Sequence, residues 1–146
     1  MSDFRKLSDQ VIASPQISIA DLDEAKAQGV TLVVCNRPDD EEPGQLNSAS
    51  VEAAAKDRGM TFVSIPITHS GFSEPQIAAM EEALSDADGK VLAYCRSGTR
   101  STLLWSLVQA KEGCNPDATA AAAAAAGYDV SSVRPAMDML AAKANG

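Results

Sequence analysis

Histidine is all but missing from this sequence, with His69 the only one, and cysteine is scarce: Cys35, Cys95 and Cys114 form an odd count with no Cys-x-x-Cys spacing. Neither a disulfide framework nor a metal site is expected from that pattern, and no cofactor is called for. Positive charge is short as well. Twelve Lys and Arg against 20 Asp and Glu leave a net charge of -8, which argues against a nucleic-acid surface or an anionic membrane as partner. No run approaches the roughly 18 apolar residues of a membrane span, and Met1 to Lys6 carry no apolar stretch of signal length. A soluble, cytoplasmic protein is expected. With 146 residues and 45% hydrophobic content, residues 1–146 suit one domain with a real core.

Read in order, Val11 to Ala13 is a short strand, and Ser18 to Asp21 forms a capping box that opens a helix closed by Gly29. Val30 to Cys35 is a nearly continuous apolar run rich in β-branched residues, as expected of a strand covered on both faces. It leads into a charged loop, Asn36 to Gly44, at the strand's carboxyl end, where open α/β sheets bind ligands. Arg37 and Asp39 are therefore candidates to rim a site. Ser48 to Arg58 reads as a helix, and Met60 to Ile67 as a strand in which Pro66 marks an edge or a strand end. A loop follows, Thr68 to Phe72, then a helix from Glu74 to about Asp86 capped by Ser73 with Gln76 at N3.

The stretch Val91 to Trp105 is the most informative. Val91 to Tyr94 form a buried strand, and Thr102 to Gln109 a helix. Between them lie Cys95, Arg96, Ser97, Gly98, Thr99 and Arg100. A strand that turns through a Gly-containing loop into a helix aims free N–H groups and the positive helix end at whatever the loop holds. Such surroundings lower a thiol's pKa, so Cys95 is expected to be a thiolate nucleophile. Arg96, Ser97, Gly98 and Thr99 would cradle an anion, and Arg100 would offer it a planar fork of donors. A lone cysteine at a strand end is usually core, and Cys35 is read that way. Two arginines and a glycine within five residues of Cys95 are poor filler for a core. After this helix, Ala118 to Ala126 and a last helix bearing Val133, Met137 and Leu140 complete the chain, with Cys114 in a connection.

The segment Cys95 to Ser101 resembles the active loop of rhodanese-type sulfurtransferases, which read Cys, four residues, Arg. It is also similar to the loop of tyrosine and dual-specificity phosphatases, but one residue shorter. Over several segments (Ser14 to Ile17, Asn36 to Asp39, Glu42 to Gly44, Ala93 to Ser101) the chain resembles the phosphatase-like domain of the beta-lactamase hydrolase-like family. That resemblance implies an α/β fold with a mostly parallel central sheet flanked by helices, of the tyrosine/dual-specificity phosphatase type. In that family the domain can be fused to a metallo-hydrolase-like domain resembling persulfide dioxygenases; these residues are expected to be the phosphatase-like domain alone.

Three functions remain open. In the first, which the short loop favours, Cys95 takes sulfane sulfur from thiosulfate or a thiol persulfide and passes it to a thiol acceptor, with Arg96 and Arg100 holding the donor and no general acid needed. In the second, Cys95 attacks a phosphate ester, Arg100 clamps the equatorial oxygens, Ser101 hydrogen-bonds the cysteine sulfur, and an acid protonates the leaving group. The phosphatases place an Asp for that purpose before the helix leading to the nucleophile's strand. Thr68 to Phe72 has none, and His69 is the nearest substitute, with Glu74 and Asp39 behind it. The third is an anion-binding or redox-sensing thiol without catalysis.

Overall fold

Five strands form one sheet in the computed structural model, which describes residues 2–146. They are β1 (Arg5–Lys6), β2 (Val11–Ser14), β3 (Val30–Cys35), β4 (Thr61–Ser64) and β5 (Lys90–Tyr94), in the order β1-β2-β5-β3-β4. Every pairing is parallel except β1 with β2. The helices are α1 (Ile19–Ala27), α2 (Ser48–Asp57), α3 (Glu74–Asp86), α4 (Thr99–Lys111), α5 (Pro116–Ala125) and α6 (Arg134–Asn145), the last preceded by a 3-10 turn at Ser131–Val133. This is the mostly parallel α/β architecture expected from the alternating pattern.

The β3 sequence is apolar except for Thr31 because it faces a core on each side. Leu32 and Val34 pack with Met80 and Leu84 of α3, Leu104 and Leu107 of α4 and Met137 of α6. Val33 and Cys35 pack with Leu22 and Ala25 of α1 and Val51 and Ala55 of α2. Helix starts follow from their caps: Ser18 with Asp21, and Ser73 with Gln76, both form reciprocal capping boxes. With β2 and β3 on its two sides, β5 has Val91 to Tyr94 buried, and its carboxyl end sits at the middle of the sheet edge.

Three boundaries differ from the sequence expectation. β1, at two residues, is too short to show any periodicity and carries no sequence signal. The strand expected over Met60 to Ile67 keeps ladder geometry only from Thr61 to Ser64, although Ile65 N and Ile67 N still donate to the carbonyls of Cys35 and Asn36 at 2.9 Å. α4 begins at Thr99 rather than Thr102, because Gly98 takes a left-handed conformation and ends the loop early. Arg100 and Ser101 therefore belong to the first helical turn. Among the described residues no helix is long and apolar enough to cross a membrane.

Candidate active site

The end of β5 delivers Cys95 into the interior, where it is fully buried. The loop after it is stitched to the end of β2: Cys95 N donates to Ser14 O at 3.3 Å and Gln16 N to Arg96 O at 3.2 Å. Gly98, at φ +93°, turns its amide back so that it donates to Cys95 Sγ at 3.1 Å. A Cβ there would run into the Tyr128 hydroxyl, which donates to Ser97 O at 3.1 Å. Glycine is thus required twice, by the backbone angle and by the close approach. Thr99 N donates to Ser97 Oγ at 3.3 Å, while the amides of Arg96 and Ser97 make no hydrogen bond among the described residues, as befits a loop that presents donors to a ligand.

Arg100 reaches from the first turn of α4 across to the loop after β3. Its Nη1 and Nη2 donate to the two oxygens of Glu41 at 2.8 and 2.9 Å, and Nη1 also donates to Ile67 O at 2.8 Å. The guanidinium is pushed above its ordinary pKa, first by Glu41, and the nearby Cys95 sulfur acts in the same direction. Glu41, held chiefly by Arg100, is pulled down to about 2. Arg96 is the least committed cation, with its side chain 65% exposed and Glu42 at 3.6 Å.

Two candidates from the sequence are taken up by other protein groups. Arg37 is 2% exposed, and its guanidinium is used up: Nε donates to Glu41 and Nη2 to Glu42 at 2.9 Å, and Nη1 to Gln16 Oε1 at 3.0 Å. Rather than rimming the site, Arg37 is a buried tie that fixes the acidic loop to the end of β2. Asp39 accepts from Ser48 N at 2.8 Å and Ser48 Oγ at 2.9 Å, fixing the start of α2, so its carboxylate serves local structure. Arg37→Met should cost about 2 kcal/mol in urea unfolding, since Glu41 and Glu42 each lose one of their two cationic partners and the part-buried Gln16 contact is lost with them; a change near zero would contradict this assignment.

Ser101 is buried below the loop and donates to Asn36 Oδ1 at 2.7 Å, while Asn36 Nδ2 donates to Ile65 O at 2.9 Å. Its one proton goes to Asn36, so the hydrogen bond to the cysteine sulfur expected from the phosphatase pattern is not made in this state. His69 is exposed in the loop after Ile67, whose carbonyl holds Arg100. Glu74 opens onto a groove of about 550 Å³ between α3, α4 and α6 that no residue of the Cys95 loop lines. Burial pushes the Cys35 thiol up, and its Sγ donates to Arg37 O at 3.3 Å, as fits a core residue.

A family model for the phosphatase-like domain of beta-lactamase hydrolase-like proteins matches residues 3–112. The chain belongs to that family. Its phosphatase-like domain is 33% identical over 108 residues to the beta-lactamase hydrolase-like protein of Agrobacterium fabrum, covering 74% of this chain and 25% of that protein. The chain thus spans about a quarter of that relative's length. Among solved structures, a candidate phosphatase from Neisseria meningitidis is 32% identical with a TM-score of 0.84, covering 96% of this chain and 99% of that one. Pseudomonas aeruginosa TpbA, solved as a cysteine-to-serine variant in complex with pTyr, shares the fold at 16% identity, with a TM-score of 0.69 and coverage of 99% and 91%. The domain therefore has the tyrosine phosphatase-like fold and is an enzyme of the cysteine-nucleophile, phosphatase-like class. Residues 113–146, including Tyr128 and the whole of α5 and α6, lie beyond the family match. Sequence alone does not single out Tyr128, Glu41 or Asn36, since nothing local marks a residue as the partner of one 31 or more positions away.

Proposed function

We propose that this domain hydrolyses phosphate monoesters through a phosphocysteine on Cys95. The observation that carries the reading is the joint geometry of one loop: the Gly98 amide on Cys95 Sγ at 3.1 Å, with Arg100 held over the same loop from the first turn of α4. The Cys95 thiolate attacks phosphorus, an S–P bond forms and the ester P–O bond breaks. His69 gives its proton to the leaving oxygen, then takes one from the water that attacks the phosphocysteine and releases inorganic phosphate. Arg100, Arg96 and the loop amides carry the charge of the phosphoryl oxygens. The pTyr found on TpbA makes aryl phosphates the first substrates to try.

Sulfur transfer, the function the sequence favours, keeps two specific features: four residues rather than five between Cys95 and Arg100, and no Asp in Thr68 to Phe72. The family and fold comparisons weigh toward the phosphate reading.

Turnover of p-nitrophenyl phosphate, inhibited competitively by vanadate, is the expected result. His69→Ala should lower kcat by about 100-fold on an alkyl phosphate and much less on p-nitrophenyl phosphate, whose leaving group needs little protonation. An unaltered kcat on both would remove His69 as the acid. A gain of one sulfur atom by Cys95 after brief incubation with thiosulfate, without phosphate release from any ester, would reverse the assignment.

A further inference from the structure

We infer that Tyr128 is a positioning residue: by holding the carbonyl of Ser97, it keeps the Gly98 amide aimed at the Cys95 sulfur throughout the reaction. The value of that aim for turnover rests on the phosphate reading above. The Ser97 carbonyl and the Gly98 amide belong to one planar trans peptide, in which C=O and N–H point in opposite directions. The Tyr128 hydroxyl donates to that carbonyl at 3.1 Å, and the amide donates to Cys95 Sγ at 3.1 Å. One rigid plate is thus gripped at one end and works at the other. The backbone alone does not hold it there. Glycine enters positive and negative φ with nearly equal ease, so the +93° of Gly98 needs a contact to select it. The Ser97 side chain supplies no anchor in the core, because Ser97 is exposed. While Cys95 is a thiolate, its charge attracts the amide. Once the sulfur carries a phosphoryl group that attraction weakens, and the grip on the carbonyl remains.

The tyrosine has an anchor of its own. It is 7% exposed and belongs to the same core as Leu104 of α4 and Met137 of α6. Its backbone N donates to Ala123 O at 2.9 Å. Arg5 of β1 lies over its ring at 5.1 Å and donates to Ala126 O at 3.4 Å, which pins the turn after α5 to the edge of the sheet. Burial pushes the Tyr128 hydroxyl up from its ordinary pKa, so it keeps its proton and remains a donor well above neutral pH. Tyr128 lies outside the family match at residues 3–112. Its contact gives the C-terminal helices a part in the site beyond packing.

The test is Tyr128→Phe, which removes the hydroxyl and keeps the ring beneath Arg5. Hydrogen exchange of the Gly98 amide is followed by NMR, with the amides of Val91 to Tyr94 as the reference, and kcat and KM are measured with p-nitrophenyl phosphate. Water takes the place of the hydroxyl on the Ser97 carbonyl, so the fold is kept, but a water molecule is not fixed to the protein frame. Gly98 exchange is expected to quicken about tenfold while the β5 amides stay unchanged. The expected loss in kcat is also about tenfold, with KM changed less than about threefold, because the amide acts on the reacting sulfur and not on the bound ester alone. Equal quickening at Gly98 and in β5 would reveal general loosening and overturn the inference. Selective quickening with kcat unchanged, or with the loss confined to KM, would overturn it as well, as would no quickening at all. If the wild-type protein turns over no ester and Gly98 still quickens selectively, the phosphatase reading falls and the hold of Tyr128 on the amide stands. No turnover and no quickening sinks both.

Discussion

Cys95→Ser is expected to abolish phosphatase turnover, by about 10⁴-fold or more, while leaving the fold and the anion cradle in place. A serine hydroxyl is a weak nucleophile without an adjacent base, and nothing bonded to Cys95 Sγ is one: its contact is the Gly98 amide, which donates at 3.1 Å. The same amide can donate to a serine oxygen, and serine is the smaller side chain, so a fully buried position accepts it without displacement. Tungstate should bind the variant within a few-fold of wild type, and its melting temperature should move by no more than a few degrees. Cys114→Ser, at an exposed position, is the matched control and should keep full turnover. Phosphate release by the Cys95→Ser protein at wild-type rate would refute the nucleophile assignment, because no second thiol stands in for it: Cys35 is buried with its thiol pushed up.

Gly98→Ala should cost about 100-fold in kcat/KM and lower the melting temperature. Two independent terms act. The φ of +93° lies in a region that side-chain-bearing residues enter at a cost of about 1 to 2 kcal/mol. In addition, the new Cβ would meet the Tyr128 hydroxyl and come within 2.8 Å of Tyr128 Cζ and 3.3 Å of the Ser14 carbonyl carbon. The Ser14 side is backbone, and Tyr128 is fixed by its own bond to Ser97 O and by Arg5 over its ring at 5.1 Å. The loop must therefore move, and with it the amide on Cys95 Sγ and the start of α4 that carries Arg100. A displacement of about 1 Å in such a group costs on the order of 100-fold. Combining Gly98→Ala with Tyr128→Ala should restore part of the loss, since that removes the contact and leaves the backbone term. Wild-type turnover by Gly98→Ala alone would show that the loop tolerates rearrangement.

Both predictions concern a loop that can be recognised before any coordinates. Strand, cysteine, glycine turn and helix form a local pattern, and its parts lie within about ten residues of each other. The caps at Ser18 and Ser73, the two-faced strand β3 and the Ala-rich α5 belong to the same kind of information: propensity, side-chain period and short-range hydrogen bonds act between neighbours in sequence, so sequence reveals them. The choice between sulfur and phosphate is not of that kind. Loop length and a missing Asp point one way, whereas the fold shared with the Neisseria meningitidis protein over 96% of this chain points the other.

From sequence alone come the family, the mostly parallel α/β sheet and the place of the candidate nucleophile loop between β5 and α4, each written in contiguous residues. Tertiary structure alone decides what the charged and polar side chains do. Arg37 and Asp39 stand in the right loop for substrate binding, yet one is a buried tie and the other fixes a helix start. Ser101 bonds Asn36, Arg100 is gripped by Glu41, and Gly98 lies against Tyr128, pairs 65, 59 and 30 residues apart in the chain. The reason is physical. A charged group takes the nearest partner in space, and which partner is nearest depends on how β2, β3, β5 and α4 converge at one edge of the sheet.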